Sequence, residues 1–196
     1  PFSVFLHINN HYALCASPER FLRKEGRLVI SQPIKGTIKR GGDKVEDDIL
    51  VSKLKNSQKD ISENVMITDL VRNDLSVTAI KSSVKVLDFC NVYTFDRIHQ
   101  MISTISSNIQ EDCHFTKVLE TTFPMGSMTG APKIKAMELI DKYEKFNRGI
   151  FSGAIGYINP EGDFDFNVVI RSILYNSEKK YVSVGVGGAI TIKSDE

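Results

Sequence analysis

Apolar and polar positions along the first 40 residues alternate in short runs, at 2–8, 12–16 and 27–32, broken by Asn9-Asn10 and by Lys24-Glu25-Gly26. A period of two between turn residues predicts a meander of β-strands. The period changes after Asp43, where a polar, acidic start over 43–48 leads into a helix ending near residue 58. A second helix is predicted over 60–75, with Ile61, Val65, Leu70 and Val71 at helical spacing and Asp60 and Glu63 on another edge. Strands resume at 84–89 and 97–106, the second placing His99 on one face with Met101 and Ser103. Residues 115–123 read as a short helix and 132–145 as a longer one, with Pro132 suited to its first turn and Thr129 or Gly130 near its cap. The remainder reads as strand: 151–158, 164–175, 181–186 and 189–193. Strands in hairpin-connected groups and helices in pairs, without βαβ alternation, predict an α+β fold of layered antiparallel β-sheets with packed helices. No repeat or linker divides residues 1–196.

Composition narrows the function classes. The 196 residues are 41% hydrophobic and 25% charged, as in a globular domain with a substantial core. Lys and Arg number 25 against 24 Asp and Glu, so no net field draws the chain to nucleic acid or to an acidic membrane surface. Cys15, Cys90 and Cys113 match no metal-ligand spacing and suit reduced thiols. No apolar run approaches the roughly 20 residues that span a bilayer, and the expected location is the cytoplasm. The chain opens at Pro1, already in a strand pattern, from which part of the natural polypeptide is expected to be absent.

Several local patterns admit both a structural and a chemical reading. Lys35 in Pro33-Ile34-Lys35-Gly36-Thr37 sits between a rigid proline and a permissive glycine; it is either an exposed loop lysine or a positioned nucleophile. Gly126-Ser127-Met128-Thr129-Gly130-Ala131-Pro132-Lys133 fails as a nucleotide-binding loop, because its glycines are one residue too close and Ile134 stands where a magnesium-binding hydroxyl is needed. It can still open a helix and offer N–H groups to a carboxylate. Asp60 and Glu63 are a solvated edge or a seat for a hard cation such as Mg²⁺. Glu19, after Pro18, is a general acid or the partner of Arg20. Arg171, inside an apolar strand, needs an anion: a carboxylate substrate or a buried ion pair. His99 suits a hydrogen-bonded core histidine. Gly185, Gly187 and Gly188 allow a close ligand approach or a bulge. Asp69 to Asp74 reads as structural, with Asp69 and Arg72 spaced to pair and Asn73-Asp74 as a polar helix end.

In this order, Ser17-Pro18-Glu19-Arg20, Pro33-Ile34-Lys35-Gly36-Thr37, the stretch 63–74, Phe123-Pro124-Met125-Gly126-Ser127-Met128-Thr129-Gly130-Ala131-Pro132-Lys133 and Asp165-Phe166-Asn167-Val168-Val169-Ile170-Arg171 resemble the chorismate-utilising enzymes. That family includes anthranilate, isochorismate, salicylate and aminodeoxychorismate synthases. Within it the residue at position 35 divides the activities, alanine being usual in anthranilate synthases and lysine in the branch that aminates C4 of chorismate on the route to 4-aminobenzoate and folate. The resemblance therefore implies chorismate and ammonia as substrates and a glutamine amidotransferase subunit as ammonia source.

It further implies roles for individual residues. The Lys35 amine, in its neutral form, attacks C2 of the ring as the C4 hydroxyl leaves; ammonia then enters at C4 and expels the lysine. Glu19 protonates the departing hydroxyl, and His99 has a lesser catalytic part. Glu63, supported by Asp60, binds the Mg²⁺ that holds a substrate carboxylate. Arg171 clamps a carboxylate, while Thr37, Ser127 and the backbone at Gly187 and Gly188 line the pocket. Two departures stand out: Phe151 replaces a tyrosine that hydrogen-bonds substrate in many relatives, and a second pair of metal-binding glutamates belongs beyond the Ser194-Asp195 region. The expectation is of a partial chorismate-binding domain over 1–196, lacking the amino-terminal portion and the extreme carboxyl terminus and inactive alone. Anthranilate synthesis and a non-catalytic binding module are the alternatives.

Overall fold

The structure, a computed structural model, describes residues 2–191. Two antiparallel sheets carry the fold. A four-stranded sheet has the order β1 (Phe2–Ile8), β2 (His11–Ser17), β10 (Ser172–Asn176), β11 (Tyr181–Val184). A seven-stranded sheet runs β5 (Ile34–Lys39), β7 (Ile98–Asn108), β4 (Leu28–Gln32), β3 (Arg20–Glu25), β9 (Phe164–Val168), β8 (Ala154–Ile158), with β6 (Lys85–Thr94) along the other edge of β7. The helices are α1 (Lys44–Lys55), α2 (Gln58–Ser76), α3 (Phe115–Thr122) and α4 (Lys133–Tyr143). The expected antiparallel α+β architecture is the one present.

Local chemistry accounts for the helix starts. Asp43 caps α1 by accepting from the Glu46 N–H at 2.9 Å, and acidic Glu46 and Asp47 in the first turn oppose basic Lys53 and Lys55 in the last. Ser57 caps α2 through the Asp60 N–H. The larger core gathers Phe21, Leu22, Val29, Ile105 and Phe164 from the seven-stranded sheet around Ile67, Val71 and Leu75 of α2. Each such side chain contributes about 1.5–3 kcal/mol through burial.

Four expectations change. β3 lies in a stretch given no strand, its end read as the Lys24-Glu25-Gly26 turn, because Arg20, Arg23 and Lys24 mask its alternation. Arg20 is tied to Asp165 and Gln32, and Lys24, 9% exposed, to Asp163, so these long-range partners make a charged strand internal. Lys35 lies within strand β5 rather than in a loop. The single strand expected at 164–175 is broken at Arg171 into β9 and β10, which belong to different sheets. Finally, the buried stripe of α2 is Glu63, Asn64, Ile67, Thr68, Val71, Asp74 and Leu75, while Val65 is exposed. Polar residues on the inner face hid the true stripe. Beyond β11, residues 185–191 form no regular structure, and the rest of the strand expected at 189–193, like the Ser194-Asp195 region, lies outside the described residues.

Candidate active site

The chain crosses between the two sheets twice, and the crossings lie side by side. One is the Ser17-Pro18-Glu19 corner from β2 to β3; the other is 169–171 from β9 to β10. Proline at 18 cannot donate to a ladder and holds Ser17 extended, and the Ser17 hydroxyl accepts from the Glu19 N–H at 3.2 Å. The corners are stitched by Val168 N–H to Glu19 O at 3.1 Å and Ala16 N–H to Arg171 O at 3.2 Å. Arg171 turns the second corner with φ of 51°, a left-handed conformation rare for a side-chain-bearing residue. Its side chain is exposed, which corrects the expectation of a guanidinium inside a buried strand. β9 ends at Val168, so the arginine lies beyond the apolar strand, exposed at the corner.

Lys35 approaches from β5. The β5–β7 ladder pairs Ile34 with Ile102 and then shifts register to pair Thr37 with Gln100, leaving Lys35 and Gly36 in a bulge. Gly36 has φ of 95°, and a Cβ there would stand 3.0 Å from Asp60 Cβ. The half-buried Lys35 Nζ donates to the Ser127 carbonyl at 3.5 Å. Ser127 sits in a 3₁₀ turn, Gly126–Met128, that packs directly on α2: a Cβ at Gly126 would come within 2.6 Å of Leu70.

Glu19 is 6% exposed. Burial pushes its carboxyl up from 4.5 to about 7, and the opposing pulls from Ser127, Lys35, the Ile34 N–H and Arg171 are smaller. Three of these neighbours, Lys35, Ser127 and Arg171, widely separated in sequence, converge on Glu19. Arg20 is not the partner of Glu19, since it binds Asp165 through both Nε at 3.0 Å and Nη2 at 2.9 Å. A cavity lined by Glu19, Arg20, Pro33, Asp74, Thr122 and Ser127, among others, has about 20 Å³ of free space, room for one water rather than a ring.

One turn of α2 carries the acidic pair. Asp60 packs on Gly36, beside Lys35, and Glu63 is 9% exposed with an Oε1 that has no hydrogen-bond partner among the described residues. A buried, unsatisfied carboxylate oxygen is costly without a cation. Among the described residues no group of three or more His, Cys, Asp or Glu side chains could hold a metal. Two carboxylates still fit Mg²⁺, which is commonly held by one or two of them and completed by waters and an anionic substrate.

The remaining candidates have surroundings of their own. His99 is fully buried, its Nε2 2.8 Å from Asp47 Oδ1 and its Nδ1 2.9 Å from Thr94 Oγ1, which is the geometry of a core histidine joining β6 and β7 to α1. Thr37 is exposed on β5, where its Oγ1 accepts from Gln100 at 3.4 Å. Gly187 and Gly188 are exposed, with no atom within 4 Å of where a Cβ would stand. Gly185 is the crowded glycine, seated on the Phe151 ring. Two relationships escaped sequence reading. Lys133 of the glycine-rich segment binds Asp74 at 2.5 Å and the Thr122 carbonyl at 3.2 Å, and buried Asn64 reaches toward Lys35. Neither pairing carries a local signal, because its partners lie far apart in the chain.

Comparison with known proteins places the chain in a family and a fold. The family described as chorismate binding enzyme matches residues 1–196. Aminodeoxychorismate synthase component 1 of Salmonella typhimurium is 40% identical over 196 residues, all of this chain and 43% of that protein. The chloroplastic aminodeoxychorismate synthase of Arabidopsis thaliana is 41% identical over 99% of this chain and 21% of its own. The chain thus spans less than half the length of these curated relatives. Anthranilate synthase component I from Streptococcus pneumoniae superposes with a TM-score of 0.79 at 29% identity, covering 88% of this chain and 38% of that one. With the family pattern matched from end to end and its fold shared, the chain belongs to the chorismate binding enzymes.

Proposed function

We propose that this chain carries the catalytic core of an enzyme that converts chorismate and ammonia into 4-amino-4-deoxychorismate and water, the ammonia coming from a glutamine amidotransferase subunit. The observation that carries the reading is the placement of the Lys35 amine beside Ser127 and within electrostatic reach of buried Glu19. Support comes also from relatives at about 40% identity whose names state aminodeoxychorismate synthesis.

In this reading neutral Lys35 adds to ring C2 while the C4–O bond breaks. Glu19, half protonated near pH 7, gives its proton to the leaving oxygen, which departs as water. Ammonia then bonds to C4 as the C2–N bond to lysine breaks, and the ammonia's surplus proton returns to Glu19, so the enzyme ends as it began. The guanidinium of Arg171, held at the outside of its corner, pairs with a substrate carboxylate, and Ser127 and Thr37 orient the ring. Glu63 and Asp60 would hold Mg²⁺, which when bound neutralises and orients a carboxylate of the substrate.

The test is to incubate the protein as it is naturally encoded with chorismate, ammonium and Mg²⁺. Aminodeoxychorismate supports the reading, and fluorescent anthranilate, the product named for the pneumococcal structural relative, overturns it. Lys35→Ala removes turnover, and Lys35→Arg does not restore it, because a guanidinium does not surrender its proton. Undiminished turnover by Lys35→Ala would sink the covalent route.

A further inference from the structure

We infer that Asn64 is the positioning residue that aims Lys35, by plugging the backbone of the β5–β7 bulge. The inference rests on the proposed role of Lys35 and adds to it the device that fixes the lysine's direction.

Where the ladder shifts register between Ile34 and Thr37, Lys35 has no paired residue on β7 and Met101 none on β5. Buried backbone carbonyls require donors. The two hydrogens of the Asn64 amide answer both: Nδ2 lies 3.5 Å from Lys35 O and 3.3 Å from Met101 O. The other end of the amide is held as firmly. Asn64 Oδ1 accepts from Ser103 Oγ at 2.5 Å and from Thr68 Oγ1 at 3.3 Å, and Ser103 Oγ in turn accepts from the Cys90 N–H at 3.0 Å. Asn64 is 1% exposed, so solvent does not compete for this network. Of the short side chains, asparagine alone supplies two donors and an acceptor in one rigid plane.

The consequence is directional. A bulge re-aims the side chain it contains, and this one turns Lys35 toward Ser127. Because Asn64 follows Glu63 on α2, the same peptide ties the nucleophile's strand to the helix turn that carries the acidic pair. Gly36, pressed on Asp60, is the second point at which that strand meets α2.

Asn64→Leu, similar in shape and without donors, is tested in the naturally encoded protein. Two readouts are taken: steady-state kinetics with chorismate, and acylation of Lys35 relative to exposed Lys59 at one fixed pH, followed by mass spectrometry. The expected result is a kcat lower by about 10²-fold, as for a reacting group displaced by about 1 Å. KM for chorismate stays near the parent value, and the Lys35 to Lys59 labelling ratio is altered. A merely structural role lowers the folded fraction but moves neither the ratio nor kcat per folded molecule, and that result overturns the inference. A changed ratio with intact kcat supports the plug and overturns Lys35 as nucleophile. If Asn64→Leu does not fold, Ser103→Ala, which frees the amide to rotate, is read by the same two criteria.

Discussion

The backbone N–H of Ala16 donates to the carbonyl of Arg171 at 3.2 Å, joining two corners that lie 155 residues apart in the chain (171 minus 16). That bond holds Arg171 in the left-handed region, where a Cβ is unwelcome. Arg171→Gly therefore keeps or raises stability, by about 1 kcal/mol, while removing the guanidinium. The expected pattern is an unchanged or higher thermal midpoint together with a KM for chorismate raised at least tenfold, the loss of one charge-assisted pair. A fall in both stability and affinity contradicts the separation of strain from binding.

Glu19 predicts two pH effects, one on stability and one on rate. Its folded value near 7 exceeds the ordinary 4.5, so between those limits the folded state holds a proton that the unfolded chain releases. Stability then declines as pH rises from about 4.5 to 7, by about 3 kcal/mol from this group, and is flat above. Glu19→Gln abolishes that slope and is more stable than the parent at pH 8. Its turnover is nevertheless lost, since glutamine has no proton to give, and in the parent kcat/KM falls as pH passes through about 7. Denaturant titration and rate profiles over the same pH range check both.

Lys133 anchors the segment that carries Ser127. Asp74 is 8% exposed, and burial raises its carboxyl while Lys133 pulls the other way. Lys133→Met leaves a buried carboxylate without its cation, a loss of about 3–5 kcal/mol at neutral pH. Protonation of Asp74 relieves the penalty, so the deficit shrinks as pH is lowered. Adding Asp74→Asn recovers most of it at neutral pH. Chemical denaturation of the single and double variants across pH decides.

Glu63 separates metal binding from folding. Without Mg²⁺, Glu63→Gln is expected to match or exceed the parent in thermal stability, because the orphaned Oε1 no longer belongs to a carboxylate. Added Mg²⁺ and chorismate raise the parent's midpoint by ligand linkage, and leave that of Glu63→Gln unmoved. A parent midpoint indifferent to Mg²⁺ removes the metal from the reading.

Much of the fold was legible because its signals are local. Strands β1 and β7, helices α2 and α3 and the antiparallel class follow from alternation, caps and turn residues within a few positions of one another. The errors share a different cause. β3 was missed because Arg20 and Lys24 find their anions at Asp165 and Asp163, more than 130 residues away. The 164–175 strand looked continuous because nothing local marks a change of sheet. The inner stripe of α2 was misplaced because Glu63, Asn64 and Asp74 are polar, and the partners that Asn64 finds at the β5–β7 bulge and Asp74 finds in Lys133 lie far from them in the chain.

By itself the sequence determined which chemistry-bearing residues are present, which elements hold most of them, and, through five ordered motifs, the family to which they belong. What only the tertiary structure decided is that Glu19, Lys35, Ser127 and Arg171 meet, and that His99 is buried between Asp47 and Thr94. The physical reason is that both outcomes depend on strand register and sheet crossing, fixed by hydrogen bonds between distant segments. The burial that raises Glu19 is likewise a property of what surrounds the carboxyl, not of the residues beside it in the chain.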